Sequence, residues 1–229
     1  MQFKTVNTQP ENRRPTKFEL IAGNVALDFI NSLDDRPSTE PKELLTSYND
    51  LATFGHDTGI LTAAQLNYFL DDVPGKRDEA QQALRHAIKL REALYAIFSS
   101  VMNRQPAPQA AMDTLNANLH DAALHSRLTQ TGTLQPETAQ PGMARPGAAF
   151  EWRFDDMTSS YEAMLRPVAR AAGDLLASPD VVLVRTCSAP NCQWFFLDTS
   201  KNHHRRWCDM KVCGNRAKVR RFYAKKRTA

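Results

Sequence analysis

The chain has 229 residues, 42 % of them hydrophobic, and a mean hydropathy of −0.49: enough apolar material for a sizeable core, with no run near the ~20 apolar residues a membrane helix needs. Its net charge of +4 is unevenly spread, because residues 185–229 hold 12 Lys/Arg against Asp198 and Asp209 (net +10) while the first 184 residues hold 17 Lys/Arg and 23 Asp/Glu (net −6). With a polar N-terminus lacking an apolar signal segment, these numbers predict a cytoplasmic protein with no membrane partner, built from two units with different partners.

Residues 1–17 are polar, contain Pro10 and Pro15, and are expected to form a disordered tail. A helix is predicted from Gly23, with Val25, Phe29 and Leu33 one turn apart and Leu27 and Ile30 alongside. On it Asn24, Asp28 and Asn31 make a polar stripe that either lines a ligand pocket or is a solvated face. After a Pro- and Ser-rich loop, Tyr48 to Thr58 reads as a helix stopping at Gly59. Thr62 and Gln65 have the spacing of a capping box, opening a helix through Phe69 and Leu70 that ends before Pro74. The clearest helix runs from Asp78 to Asn103, with Leu84, Ile88, Leu94, Phe98 and Met102 on one face. Arg91 interrupts that face, so it pairs with a buried carboxylate such as Asp28, snorkels, or joins the polar stripe as a ligand contact.

Pro106 and Pro108 break this helix, and Gln109 to Ser126 forms another, with Met112, Leu115, Leu119 and Ala122 on one face. Arg127 to Gln135 and Ala148 to Phe154 read as two strands joined by a long mobile loop rich in Pro and Gly. Asp156 can cap a helix running to Ala177, which Pro167 kinks or restarts. Ser178-Pro179-Asp180 marks a boundary.

All four cysteines lie beyond it, as Cys187-x4-Cys192, fifteen residues, then Cys208-x4-Cys213. Two pairs at this spacing suit tetrahedral zinc, each pair offering two thiolates from one bend of backbone. Disulfides, or His203 or His204 in place of one cysteine, are the competing readings. Four thiolates leave no open coordination position, so one structural zinc ion is expected. Asp198 to Asn202 looks like a hairpin turn after the strand-like Trp194 to Leu197, and a helix-forming run follows Cys213. Val219, Phe222 and Tyr223 on that run are expected to dock on the hairpin. Arg216, Lys218, Arg220, Arg221, Lys225 and Lys226 are left around an exposed helix, with Lys201, Arg205, Arg206 and Lys211 adding charge from the hairpin side. Phosphate backbones reward such charge by counterion release, and arginines such as Arg216 and Arg220 can read guanine edges. Arg216 could instead brace the finger through carbonyls or Asp198. Trp194, Phe195 and Phe196 are stacking platforms or core.

The pattern Cys187, Cys192, Trp194 to Asp198, Ser200, Asn202, Arg206-Trp207-Cys208, Met210 and Cys213-Gly214-Asn215-Arg216 with Lys218 resembles the CGNR zinc-finger family over about 45 residues. His203-His204 and Asp209 depart from it without touching a ligand. Gly23 to Asn31 resembles the opening motif of the ABATE domain, which commonly precedes this finger. The resemblance implies a bacterial transcription regulator whose finger binds DNA and whose N-terminal domain senses a ligand or stress.

Together these readings predict a mainly α (α+β) chain. A tail (1–17) precedes a helical, ligand-sensing ABATE-like domain with a small β element (18–178), then a treble-clef-like zinc finger, hairpin then helix (179–229). Double-stranded DNA and an unknown small molecule are the expected partners, and a homodimer would add to the small interface one finger offers. No nucleophile elbow, P-loop, dinucleotide fingerprint or HExxH is present, so no enzyme is expected. The rival functions are an RNA-binding module, a zinc-stabilised protein-interaction domain for an acidic partner, and an enzyme with an accessory finger.

Overall fold

Asn24 opens the first helix: its side chain accepts the Ala26 amide at 2.9 Å in the computed structural model, which describes residues 17–130 and 150–227. This helix, α1 (Val25–Ile30), is shorter than its apolar pattern predicts. Asn31 and Ser32 turn their side chains to other backbone groups, and Leu33 enters a short strand, β1 (Leu33–Asp34), paired antiparallel with β2 (Lys42–Glu43). Reciprocal capping boxes, Ser47 with Asp50 and Thr62 with Gln65, start α2 (Tyr48–Asp57) and α3 (Ala63–Asp72). The long helix α4 (Arg77–Met102) folds back through a Pro-containing loop into α5 (Gln109–Leu124). Strands β3 (Ser126–Gln130) and β4 (Phe150–Phe154) pair antiparallel, with Leu128 opposite Trp152. The predicted tail and the predicted mobile loop between these strands lie, but for Lys17, outside the described residues.

α6 (Leu165–Leu176) starts afresh at Leu165, with Pro167 in its first turn, where no amide partner is lost. Asp156 does not cap it. Its backbone adopts a left-handed turn (φ 52°) whose carbonyl accepts from Ser159. α5 packs between α4 and α6, and α1 lies against α6 and α4. Phe18, Phe29 and Phe54 form one aromatic contact group in this core, and Tyr48, Phe69 and Tyr161 a second.

The last part of the chain is a hairpin followed by a helix. β5 (Val184–Thr186) pairs antiparallel with β6 (Phe195–Leu197), Arg185 opposite Phe196. The first cysteine pair therefore sits at the tip of this hairpin. The predicted hairpin turn at 198–202 is not one: among the described residues no strand follows it, because the buried Asp198 carboxylate gathers the Ser200 amide and hydroxyl and the Arg205 amide around itself. A wide turn at Met210–Gly214, capped by Asp209, leads into α7 (Asn215–Arg227). Across the described residues no helix is long and apolar enough to cross a membrane.

Candidate metal centre and basic groove

The hairpin tip and the wide turn each bring two cysteines to one point. Cys187 and Cys192 come from the tip, where the Cys187 amide donates to the Trp194 carbonyl at 2.8 Å and the Cys192 amide to Ala189 at 3.1 Å. Cys208 precedes the wide turn and Cys213 lies within it, just before α7. All four are buried, and their sulfurs lie within 4.8 Å of one another, with Cys192–Cys208 and Cys208–Cys213 both at 3.6 Å. A zinc–sulfur distance of about 2.3 Å gives a tetrahedron with edges of about 3.8 Å, so the donor set fits zinc in type, number and spacing. No cysteine is in a disulfide.

The four thiols cannot all ionise at this spacing without a cation. Hydrogen bonds to Cys187 raise Cys192 and Cys208, burial raises Cys213, and the same contacts from Cys192 and Cys208 hold Cys187 down. A dication at the centre stabilises all four thiolates together.

Arg205 braces this centre. Its guanidinium donates to the Trp207 carbonyl at 2.8 Å and to the Cys208 carbonyl, and lies 4.6 Å from the centre of the Phe196 ring. Arg216, for which the sequence offers bracing as the alternative to a base contact, is exposed and does not take this part. Asp198 was not singled out for a role of its own, although an aspartate two residues before a serine is a local signal for an Asx-type turn.

Beside the centre lies an open groove with a volume of 630 Å³, lined by Lys211, Arg216 and Arg220, the amides Asn191 and Asn215, and the apolar Val212 and Val219. Arg220 donates to the Asn191 side chain at 3.2 Å, tying α7 to the hairpin tip. Three of the ten basic residues expected at a DNA surface thus share one groove. Lys201, Arg206 and Lys218 are exposed outside it, and Arg206 stacks on Trp207. The backbone of Arg221, Lys225 and Lys226 is helical, and their side chains lie outside the described residues. Trp194, Phe195 and Phe196 are buried, as core rather than stacking platforms. Val219, Phe222 and Tyr223, expected to dock on the hairpin, are exposed instead: α7 packs mainly on the turn that precedes it and reaches the hairpin tip through Arg220.

The polar stripe of α1 does not gather with Arg91 into one cavity. Asn24 caps α1, and Asp28 accepts the Ala22 amide at 2.9 Å. Asn31 binds the backbone of the finger, donating to the Phe195 carbonyl at 2.9 Å and accepting its amide at 3.0 Å. Arg91 is buried and pairs with Glu43 through two bonds of 2.6 and 2.7 Å, and with Glu92 at 2.9 Å, not with Asp28. A separate cleft of 460 Å³ opens between the ends of α3 and α4 and the segment before α6, lined among others by Tyr68, Asp72, Lys76, Glu79, Tyr161 and Glu162.

The family model described as "ABATE: Putative stress-induced transcription regulator" matches residues 23–179, and that of the CGNR zinc finger matches residues 184–226. No curated protein matches the chain. Both matched families are regulator and zinc-finger types rather than enzymes. The CGNR match and the four-cysteine cluster identify the cofactor as one structural zinc ion.

Proposed function

From the chain's membership of the ABATE family, and from the CGNR finger that follows, we propose a zinc-dependent DNA-binding transcription regulator in which Cys187, Cys192, Cys208 and Cys213 hold the metal. The observation that carries the reading is the groove formed by Lys211, Arg216 and Arg220 beside the metal centre. Its cations face one concavity and suit a phosphate backbone, while the Asn191 and Asn215 amides and the floor of Val212 and Val219 suit sugar and base edges. Zinc fixes the hairpin tip against the start of α7 and so sets the groove's width.

Fluorescence anisotropy with duplex DNA, titrated over several salt concentrations with and without a chelator, tests this. Binding should need zinc and weaken steeply with salt. The double variant Lys211→Ala/Arg216→Ala should flatten the logarithmic salt slope by about 2. An affinity for structured RNA exceeding that for duplex DNA would reassign the partner, and no nucleic-acid affinity at low salt would favour an acidic protein.

The signal would enter at the cleft lined by Tyr68, Asp72, Glu79 and Glu162, whose carboxylates outnumber Lys76 and favour a small cationic molecule. α4 connects it to the finger: Lys76 and Glu79 lie at its start, and Tyr95 and Phe98 further along pack on Phe195. Small amines should raise the melting temperature of the wild type and not of Glu79→Gln.

A further inference from the structure

α7 carries an apolar face that nothing else among the described residues covers. Val219, Phe222 and Tyr223 stand at i, i+3 and i+4 and are 54 %, 63 % and 61 % exposed. The two rings meet edge to face at 5.7 Å. Val219 also floors the basic groove, so the apolar stripe continues the groove along the helix.

Charge decides what can cover it. Between Asn215 and Arg227 the chain has seven Lys/Arg and no Asp or Glu, so α7 of a second copy is repelled. Residues 1–16 carry Lys4, Arg13 and Arg14 against Glu11, and residues 131–149 carry Arg145 against Glu137, so neither segment can neutralise the helix. An anionic membrane rewards a broad apolar face, and this one is three residues wide beside a groove walled by asparagine amides. A polyanion with flat apolar surfaces stacked inside it, a nucleic acid, meets both demands.

Resting on the DNA-binding reading, we propose that Phe222 and Tyr223 enter a base step of the bound duplex as a wedge, while Lys211, Arg216 and Arg220 hold the adjoining phosphates. Aromatic side chains stack on any base, and apolar wedges at a step kink the duplex. The face therefore selects deformable sequence, with pyrimidine–purine steps yielding first.

The test uses the zinc-loaded full chain and short duplexes with 2-aminopurine at a central step. The wild type should raise 2-aminopurine fluorescence at saturation and bind a duplex mismatched at that step more tightly than a matched one. In Phe222→Ala/Tyr223→Ala the rise should vanish and affinity should fall about tenfold, with the salt slope kept. Phe222→Trp should retain the rise. Both rings are exposed, so zinc content and melting temperature should match the wild type in every variant. Saturable binding by the wild type without a fluorescence change overturns the wedge and leaves DNA binding standing. Absence of any salt-dependent duplex binding overturns the DNA-binding reading itself. Tighter binding to phosphatidylserine vesicles than to duplex, or a sedimenting dimer that the double variant abolishes, assigns the face to a membrane or a second copy and also overturns the wedge.

Discussion

Asp28 shows how one side chain can matter to a seam it does not touch. Its carboxylate accepts the Ala22 amide, and the Ala22 carbonyl accepts the Leu197 amide of β6 at 2.8 Å. Burial pushes the Asp28 carboxyl up to about 7, against the lowering effect of the Ala22 and Ile21 amides. The folded chain thus keeps a proton that the unfolded chain releases at the ordinary value of 3.8. This group's contribution to stability is complete in acid and is lost as pH rises through about 7. Asp28→Asn keeps an acceptor for Ala22 without the charge, so it should melt above the wild type at about pH 8, and the gap should shrink as pH falls through about 7 and close only below the ordinary value of 3.8. A gap that does not change with pH would assign the titration to another group. The sequence shows Asp28 and Asn31 sharing a face with Asn24, but not what they meet, since the partner of Asn31 is 164 positions away. Counting cations likewise cannot separate Arg205, bonded to carbonyls of the finger, from Arg216, free to face a ligand.

β6 belongs to the finger by sequence and to both parts of the chain by contact. Its Phe195 exchanges two hydrogen bonds with the Asn31 side chain, which mimics a neighbouring strand: the carbonyl accepts from Nδ2, the amide donates to Oδ1, and the ring packs against Tyr95 and Phe98 of α4. Gly23, at φ +79°, makes the turn that brings Ala22 to Leu197, and that left-handed conformation favours glycine. Asn31→Ala leaves a buried amide and carbonyl without partners, a cost of about 1–3 kcal/mol for each. Urea unfolding should show a loss of about 2–5 kcal/mol, with faster hydrogen exchange at Phe195 than at α5. An unchanged midpoint would mean that the finger is held by its apolar contacts alone. Helices α2 to α5 were legible because their signals are local: capping boxes, Pro breaks and a repeat every three to four residues. The β5–β6 pairing was not, because three-residue strands carry no period, and because Asp198 to Asn202 has turn composition that a buried carboxylate uses for a loop.

The metal should hold up more than the finger. Cys187, Val184, Phe195 and Phe196 lie in the same continuous cluster of buried residues as Phe29, Leu90 and Phe98, so the hairpin is part of the core beneath it. A segment this short lacks the buried area to fold unaided, which is why zinc binding in such units supplies folding free energy. Here docking supplies a share as well. The two sources act on the same residues, since β6 carries Phe195 into the core and closes the hairpin that carries Cys187 and Cys192. Zinc-loaded protein should therefore melt in one calorimetric transition rather than two. Cys208→Ser, or a chelator, should lower that whole transition, and should speed exchange in α1 and in α4 around Tyr95 and Phe98 as well as in the hairpin. If α1 and α4 keep their protection while only residues 184–226 lose theirs, the finger is a passenger on an independent helical core. Joint loss instead makes the shared strand a mechanical link: a molecule that shifts α4 at the cleft would alter the hairpin that fixes the groove's width, and DNA affinity and zinc affinity should then change together.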